Sequence, residues 1–188
     1  MTNFKNALRV SLIAPAVVVF WTATALAEER ICRGQIGATT VDNLIVPQNA
    51  SCWLRGTRVK GKIKVRNGAT LRADDVIVIG NVQAENARNV IVQDGSRIGG
   101  SVQVVQGEAA TVADSHVNGD IYYDDNRAML RVLRNEVGGN VQAFQNTGGV
   151  EIRGNTIDGN LQCKANTPRP HGGNNTVQGN KEDQCRRL

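Results

Sequence analysis

The sequence is poor in the residues from which most catalytic and metal sites are built. Its 188 residues include two histidines and four cysteines. No Ser/His/Asp or Cys/His arrangement, phosphate-binding loop or dinucleotide fingerprint occurs among them. The histidines and cysteines also lack the spacing of a zinc site. The sequence therefore predicts neither a cofactor nor a metal centre of a common kind.

Clustered positive charge is also scarce. The chain has 22 Lys and Arg residues against 17 Asp and Glu, a formal net charge of +5. Without Lys5 and Arg9 near the N-terminus the excess falls to +3, and it is spread along the chain. Nucleic-acid binding requires basic residues gathered on one face. We therefore expect no nucleic-acid partner.

The first 27 residues have the order of a secretory signal peptide. Basic residues precede an apolar run that begins at Val10, and Ala25-Leu26-Ala27 is a small-residue cleavage site. An uncleaved anchor is the alternative, because Val10 to Ala27 is nearly long enough to cross a membrane. Pro15 within the run favours cleavage. We expect residues 28–188 to be exported, without a membrane span, to the periplasm or the medium.

The remainder of the sequence repeats with a period of 19 or 20 residues. The repeats begin at seven glycines, which are Gly61, Gly80, Gly100, Gly119, Gly139, Gly159 and Gly179. Each repeat carries two pairs of alternating apolar residues and one single apolar residue, and alternation is the period of a strand. This pattern predicts one all-β domain over residues 28–188, a parallel β-helix (β-solenoid) of about seven coils with three short strands per coil. Parallel crossovers are almost always right-handed, so we expect a right-handed coil.

The period also predicts which residues lie above one another. Val82, Val102, Ile121 and Val141 should form one column of the core. We expect the corner glycines to provide positive φ angles. Asparagines at one-coil intervals should form an amide ladder that braces a corner, and these are Asn135, Asn155 and Asn175.

The four cysteines allow three disulfide pairings. Cys32 and Cys52 are 20 residues apart and therefore fall in adjacent coils, within the Cα separation that a disulfide tolerates. Cys163 and Cys185 are 22 apart, one coil and a small irregularity. We predict the pairs Cys32–Cys52 and Cys163–Cys185, one near each end of the stack, in an oxidising compartment.

One file of polar residues is expected to face outward from the first strand of successive coils. Its members, beyond Lys64, are Gln83, Gln103, Tyr122, Gln142 and Gln162. Stacked glutamines hydrogen-bond to one another, which explains the file without a ligand. The functional interpretation is a flat polar face that binds a glycan or another component of the cell envelope.

An enzymatic alternative depends on a polar cluster that contains Asp120, Asp124, Asp125 and His116. In polysaccharide lyases and hydrolases built on β-helices, such carboxylates act as acid and base on a chain lying along one sheet. The structural alternative is a turn at Asp124 and Asp125 and a surface charge ladder that contains His116. The gaps between apolar clusters are short, which leaves little chain to form the walls of a cleft.

A second acidic file contains Asp75, Asp114 and Arg134, with Asp74 and Asp94 nearby. Like charges one coil apart repel each other, so a cation such as Ca²⁺ would stabilise them. Solvent-exposed carboxylates need no ion, and both interpretations stay open.

The two ends of the predicted solenoid resemble those of secreted bacterial β-solenoid proteins that have no established activity. The similar segments are CRGQIG and VPQNASCWLRGTRVKGKIKV near the start, and GNTIDGNLQCKANTPRPHGGNNTVQGNKEDQC near the end. The resemblance implies an exported solenoid with cysteines closing both ends. A looser similarity to bactofilins, bacterial scaffolds that polymerise end to end as β-helices, implies self-assembly. The signal peptide, the cysteines and the charged segment at residues 181–183 depart from the bactofilin pattern.

Three hypotheses of function follow. The first is an exported non-enzymatic structural or binding protein that displays a rigid solenoid surface. The second is a small carbohydrate-active enzyme, and the third is a self-assembling scaffold.

Overall fold

The computed structural model describes residues 28–188, and the predicted signal peptide at residues 1–27 lies outside this range. The described residues form 25 short strands and no helix. Consequently no helix within residues 28–188 is long and apolar enough to cross a membrane. The prediction of an all-β chain is confirmed.

The strands belong to three parallel sheets. The first sheet contains, in order, β1 (Glu29–Ile31), β4 (Asn43–Val46), β7 (Ile63–Val65), β10 (Val82–Glu85), β13 (Val102–Val105), β16 (Ile121–Asp124), β19 (Val141–Phe144), β22 (Leu161–Lys164) and β25 (Lys181–Asp183). The second contains β2 (Gly34–Ile36), β5 (Ser51–Arg55), β8 (Thr70–Asp74), β11 (Asn89–Gln93), β14 (Ala109–Ala113), β17 (Leu130–Leu133), β20 (Val150–Arg153) and β23 (His171–Gly173). The third contains β3 (Thr40–Val41), β6 (Arg58–Val59), β9 (Ile77–Val78), β12 (Arg97–Ile98), β15 (His116–Val117), β18 (Glu136–Val137), β21 (Thr156–Ile157) and β24 (Thr176–Val177).

Each coil contributes one strand to each sheet, as predicted, but there are eight coils within residues 28–188 instead of about seven. The additional coil is the first, β1 to β3. The repeat pattern does not include this coil, because Arg30 is the register partner of Leu44, which lies only 14 residues later instead of 19 or 20. The coil also places Ile31 at an outward, exposed position, in register with the outward Ile45.

The core is a set of aliphatic columns that run along the solenoid. Val82 pairs in register with Val102, which pairs with Ile121, which pairs with Val141, as predicted. All four side chains are buried. Tyr123 occupies an inward position, and its hydroxyl donates to the carbonyl of Arg131 at 3.3 Å. Burial raises the pKa of Tyr123 far above its ordinary value.

The corner glycines are required for a different reason from the predicted one. None of the seven repeat-starting glycines has a positive φ angle. Instead, a Cβ at Gly139 would lie 2.8 Å from the carbonyl carbon of Gly119, one coil earlier, and would also collide with Oδ1 of Asp120. Successive coils therefore approach too closely at this corner for any side chain.

Asparagine ladders brace two other corners. In the predicted ladder, Oδ1 of Asn155 accepts the backbone N–H of Asn135 at 2.9 Å, and Oδ1 of Asn175 accepts that of Asn155 at 3.0 Å. The three side chains are buried. A second buried ladder, which was not predicted, runs through Asn126, Asn146 and Asn166. Each ladder satisfies backbone donors at bends where strands cannot pair.

Both predicted disulfides are present. Cys32–Cys52 and Cys163–Cys185 have Cα–Cα distances of 5.6 and 5.2 Å. At the last coil, Lys181 takes the register position after Leu161, and its ammonium group donates to the carbonyl of Asn175 at 2.9 Å. A charged residue thus ends an aliphatic column.

Candidate ligand-binding face

The predicted outward file is a continuous row along the first sheet. Lys64 is in register with Gln83, and the row continues through Gln103, Tyr122, Gln142 and Gln162 to Glu182. All of these side chains are half-buried. Alternation explains this placement, because each lies between two inward residues of its strand.

Part of the row is joined by side-chain hydrogen bonds. Gln142 donates to Gln162 at 2.8 Å, and Gln162 donates to Glu182 at 2.7 Å. The bond from Gln83 to Gln103 is longer, at 3.5 Å. Stacking of the amides is therefore confirmed, and it is weakest at Gln83 and Gln103. The role of the row in ligand binding stays a prediction.

An open groove of about 770 Å³ lies over the weakly bonded end of the row. Lys64, Gln83 and Gln103 line it, together with Arg66 and Glu85. These last two residues follow the inward partners Val65 and Ala84 at the ends of β7 and β10. The spacing of the apolar residues predicts that Lys64 faces outward, whereas side-chain packing decides that a groove forms here.

Tyr122 lies further along the row, beside a second aromatic residue. Its ring meets that of Phe144 edge to face, with centroids 6.0 Å apart. Its hydroxyl donates to Oδ2 of Asp124 at 3.1 Å. Burial, and then the charge and hydrogen bonding of Asp124, raise the pKa of Tyr122. Phe144 could have been found from alternation, because it follows outward Gln142 and inward Ala143.

Three of the four residues of the enzymatic alternative have separate structural partners, and the fourth is exposed. His116 lies in the third sheet and contacts Glu136 at 2.9 Å and Asn118 at 2.6 Å. Oδ1 of Asp120 accepts the backbone N–H of Asn140 at 2.6 Å. Asp124 ends a strand of the first sheet and accepts the hydroxyl of Tyr122, and the next residue, Asp125, is exposed. The contacts of His116 include none of the three aspartates.

The second acidic file marks a corner of left-handed backbone. Asp75, Asp94, Asp114 and Arg134 all have φ angles between 48° and 59°, a region in which aspartate is enriched. Arg134 binds Asp114 through two hydrogen bonds of 2.7 Å, and these bonds lower the pKa of Asp114. Within residues 28–188, no three His, Cys, Asp or Glu side chains are grouped to hold a metal ion.

Asp74 belongs to a different environment from the rest of that acidic group. It is only 6% exposed, and its Oδ2 accepts the indole N–H of Trp53 at 2.8 Å and Nε of Arg72 at 2.7 Å. Arg72 also lies 5.4 Å from the centre of the Trp53 ring. The other carboxylate oxygen is buried without a partner among the described residues. The cluster holds Trp53 against the second sheet.

Positive charge is concentrated in one stretch of the chain, from β4 to β8. Residues 43–73 contain seven basic residues and no acidic one, and these are Arg55, Arg58, Lys60, Lys62, Lys64, Arg66 and Arg72. They extend around all three sheets. The even spread expected from the overall balance is therefore wrong for this stretch, but no single face collects the charge.

A scan against protein-family models finds no match, and searches of curated proteins and of solved structures find no significant similarity. The fold and the disulfides define residues 28–188 as a parallel β-solenoid closed by a cystine near each end.

Proposed function

We propose that this protein is an exported, non-enzymatic binding or structural protein that uses its first sheet as a rigid docking face for an extended glycan. The observation that carries the proposal is the groove lined by Lys64, Gln83 and Gln103. Two disulfides fit a protein of an oxidising compartment, either the periplasm or the medium.

The repeat distance of the solenoid suits a polysaccharide chain. Neighbouring strands lie about 4.8 Å apart, which is close to the length of one pyranose unit in an extended β-linked chain. A glycan lying along the solenoid axis would thus meet one outward side chain per sugar. Each Gln amide offers both donors and acceptors to sugar hydroxyls.

The weak bond between Gln83 and Gln103 also supports binding there. At 3.5 Å it is at the limit of a hydrogen bond, so a hydroxyl group can replace it at little cost. Gln142 and Gln162 are bonded at 2.8 Å and are less available. The rigid sheet would lose little conformational entropy on binding.

The aromatic pair extends the same face. Tyr122 is the next member of the row after Gln103, and Phe144 lies beside it. Aromatic side chains present both apolar surface and, in tyrosine, a polar group, a combination that matches the mixed surface of a sugar ring. A longer glycan would reach this pair from the groove.

The experiment is a glycan array probed with the protein purified with both disulfides formed, followed by calorimetric titration of any ligand found. The double variant Gln83→Leu/Gln103→Leu should lose at least about tenfold in affinity, because two hydrogen-bonding groups are removed. Gln93→Leu is the matched control, since Gln93 faces outward from the second sheet.

Two results would refute the proposal. One is the lack of binding to any glycan on the array, and the other is full binding by the Gln83/Gln103 variant. Urea unfolding of each variant verifies that the solenoid is intact. Conversion of a bound glycan to products would instead support the enzymatic alternative.

A further inference from the structure

The groove contains two positive charges without protein counter-ions. Lys64 is half-buried in the row, and Arg66 is exposed at the end of the same coil segment. Neither forms an ion pair with any residue between 28 and 188. Glu85 is the one carboxylate among the residues that line the groove. The lining therefore has a net positive charge.

Two other basic residues of the stretch 43–73 do have acidic partners. Lys60 lies 3.0 Å from Asp42, and Arg72 lies 2.7 Å from Asp74. Those pairs are on the third and second sheets, away from the groove. Arg55, Arg58 and Lys62 also form no ion pair within residues 28–188, but they do not line the groove. Lys64 and Arg66 are therefore the unpaired cations of this stretch that face a concave surface.

We propose that the groove selects an acidic glycan, a polymer whose sugars carry carboxylate groups. This inference rests on the proposed function, because it assigns the chemical class of the ligand to the same face. Lys64 and Arg66 would hold carboxylates of the glycan, and the planar guanidinium of Arg66 can do so through two parallel hydrogen bonds. Gln83 and Gln103 would bind hydroxyls of the adjoining sugars.

The geometry favours an extended polyanion over a single small anion. Lys64 and Arg66 share one coil, while Gln83 and Gln103 lie on the next two. A ligand that touches all four must therefore span three coils along the axis. Glu85, one coil above the cations, would repel a carboxylate at that height. The charged sugar is expected beside β7 and less charged parts of the chain beside β10 and β13.

The test compares polymannuronate, a β-linked polymer of acidic sugars, with the same polymer after methyl esterification, which removes the charge and keeps the backbone. The wild-type protein should bind the acid form at least about tenfold more tightly. Lys64→Gln/Arg66→Gln should lose most of this preference, whereas Glu85→Gln should strengthen binding of the acid form. Binding should weaken as salt concentration rises, because the attraction is screened.

The matched control is Arg58→Gln/Arg97→Gln, which removes two charges from the third sheet and should change the affinity less than about twofold. Equal loss in this control would indicate nonspecific attraction and refute the inference. Equal binding of the acid and the ester, or binding of neutral glycans alone, would refute the acidic preference and leave the proposed function standing. Failure to bind any glycan would refute both the acidic preference and the proposed function.

Discussion

Substitution of Asn155, in the middle of the asparagine ladder, tests the register of the solenoid. Asn155 is 1% exposed and makes four side-chain hydrogen bonds. Its Oδ1 accepts the backbone N–H of Asn135 at 2.9 Å and Nδ2 of the same residue at 3.0 Å. Its own Nδ2 donates to the carbonyl of Val132 at 2.8 Å and to Oδ1 of Asn175 at 2.9 Å.

The substitution Asn155→Ala should be strongly destabilising. It leaves two buried N–H groups of Asn135 without their acceptor, and each unpaired group costs about 1–3 kcal/mol. We expect the free energy of unfolding to fall by about 2–6 kcal/mol. Asn67→Ala is the control, because Asn67 is exposed in a turn, and its effect should stay within about 0.5 kcal/mol.

The substitution Asn155→Asp separates hydrogen bonding from size. The introduced oxygen would face two acceptors, the carbonyl of Val132 and Oδ1 of Asn175. Burial and this repulsion raise the pKa of the new carboxyl group, and protonation restores one donor. The variant should therefore be more destabilised at pH 7 than at pH 4, whereas the alanine variant should not show this dependence.

Two measurements check these expectations. Urea unfolding with the disulfides intact gives the free energies, and hydrogen exchange of the Asn135 amide reports on the ladder even if the solenoid unfolds in stages. A loss below about 1 kcal/mol for Asn155→Ala, together with unchanged protection of Asn135, would contradict the argument.

Three further predictions concern single positions, each checked by urea unfolding. Gly139→Ala should lose more than about 2 kcal/mol, because the new methyl group meets the backbone of the previous coil, while Gly37→Ala, with open space around it, should be nearly neutral. Arg134→Met should lower the free energy of unfolding only slightly at pH 7, because the pair is exposed. Since its partner Asp114 has a lowered pKa, that loss should disappear as pH falls through this pKa. Tyr123→Phe should cost about 1 kcal/mol. Because burial raises this pKa, wild-type stability should fall as pH rises above about 10, and the variant should show a smaller fall, the remainder coming from Tyr122.

The period of the sequence was sufficient to predict the register over most of the chain. Residues 19 or 20 apart became vertical neighbours, so the aliphatic columns and the Asn135 ladder were found correctly. The same reasoning predicted the pair Cys32–Cys52 correctly, although Cys52 is in register with Gly34 and not with Cys32, because the first coil is shorter than the period. These features depend only on spacing.

Features that depend on distance between side chains were not predictable in this way. The first coil has 14 residues and ends a column with Arg30, so it breaks the period. The spacing predicts the positions of the corner glycines correctly. Glycine is required there because successive coils are in close contact, and not because the backbone has a positive φ angle. The groove beside Lys64 follows from how neighbouring side chains pack.

The outward row of the first sheet is shaped by other constraints than the repeat. Inward positions are constrained by the aliphatic columns, and the corners are constrained by close contact and amide ladders. Outward positions of the first sheet are subject to neither of these constraints, because a side chain there has only to be compatible with exposure to water. Yet this row keeps glutamine on four coils and interrupts it with Lys64 and Tyr122. Amide stacking stabilises the bonded Gln142–Gln162 pair, but it gives no reason for an unpaired cation at the other end. The proposed acidic glycan would account for both, because its hydroxyls need amide partners along the row and its carboxylates need a positive charge beside β7.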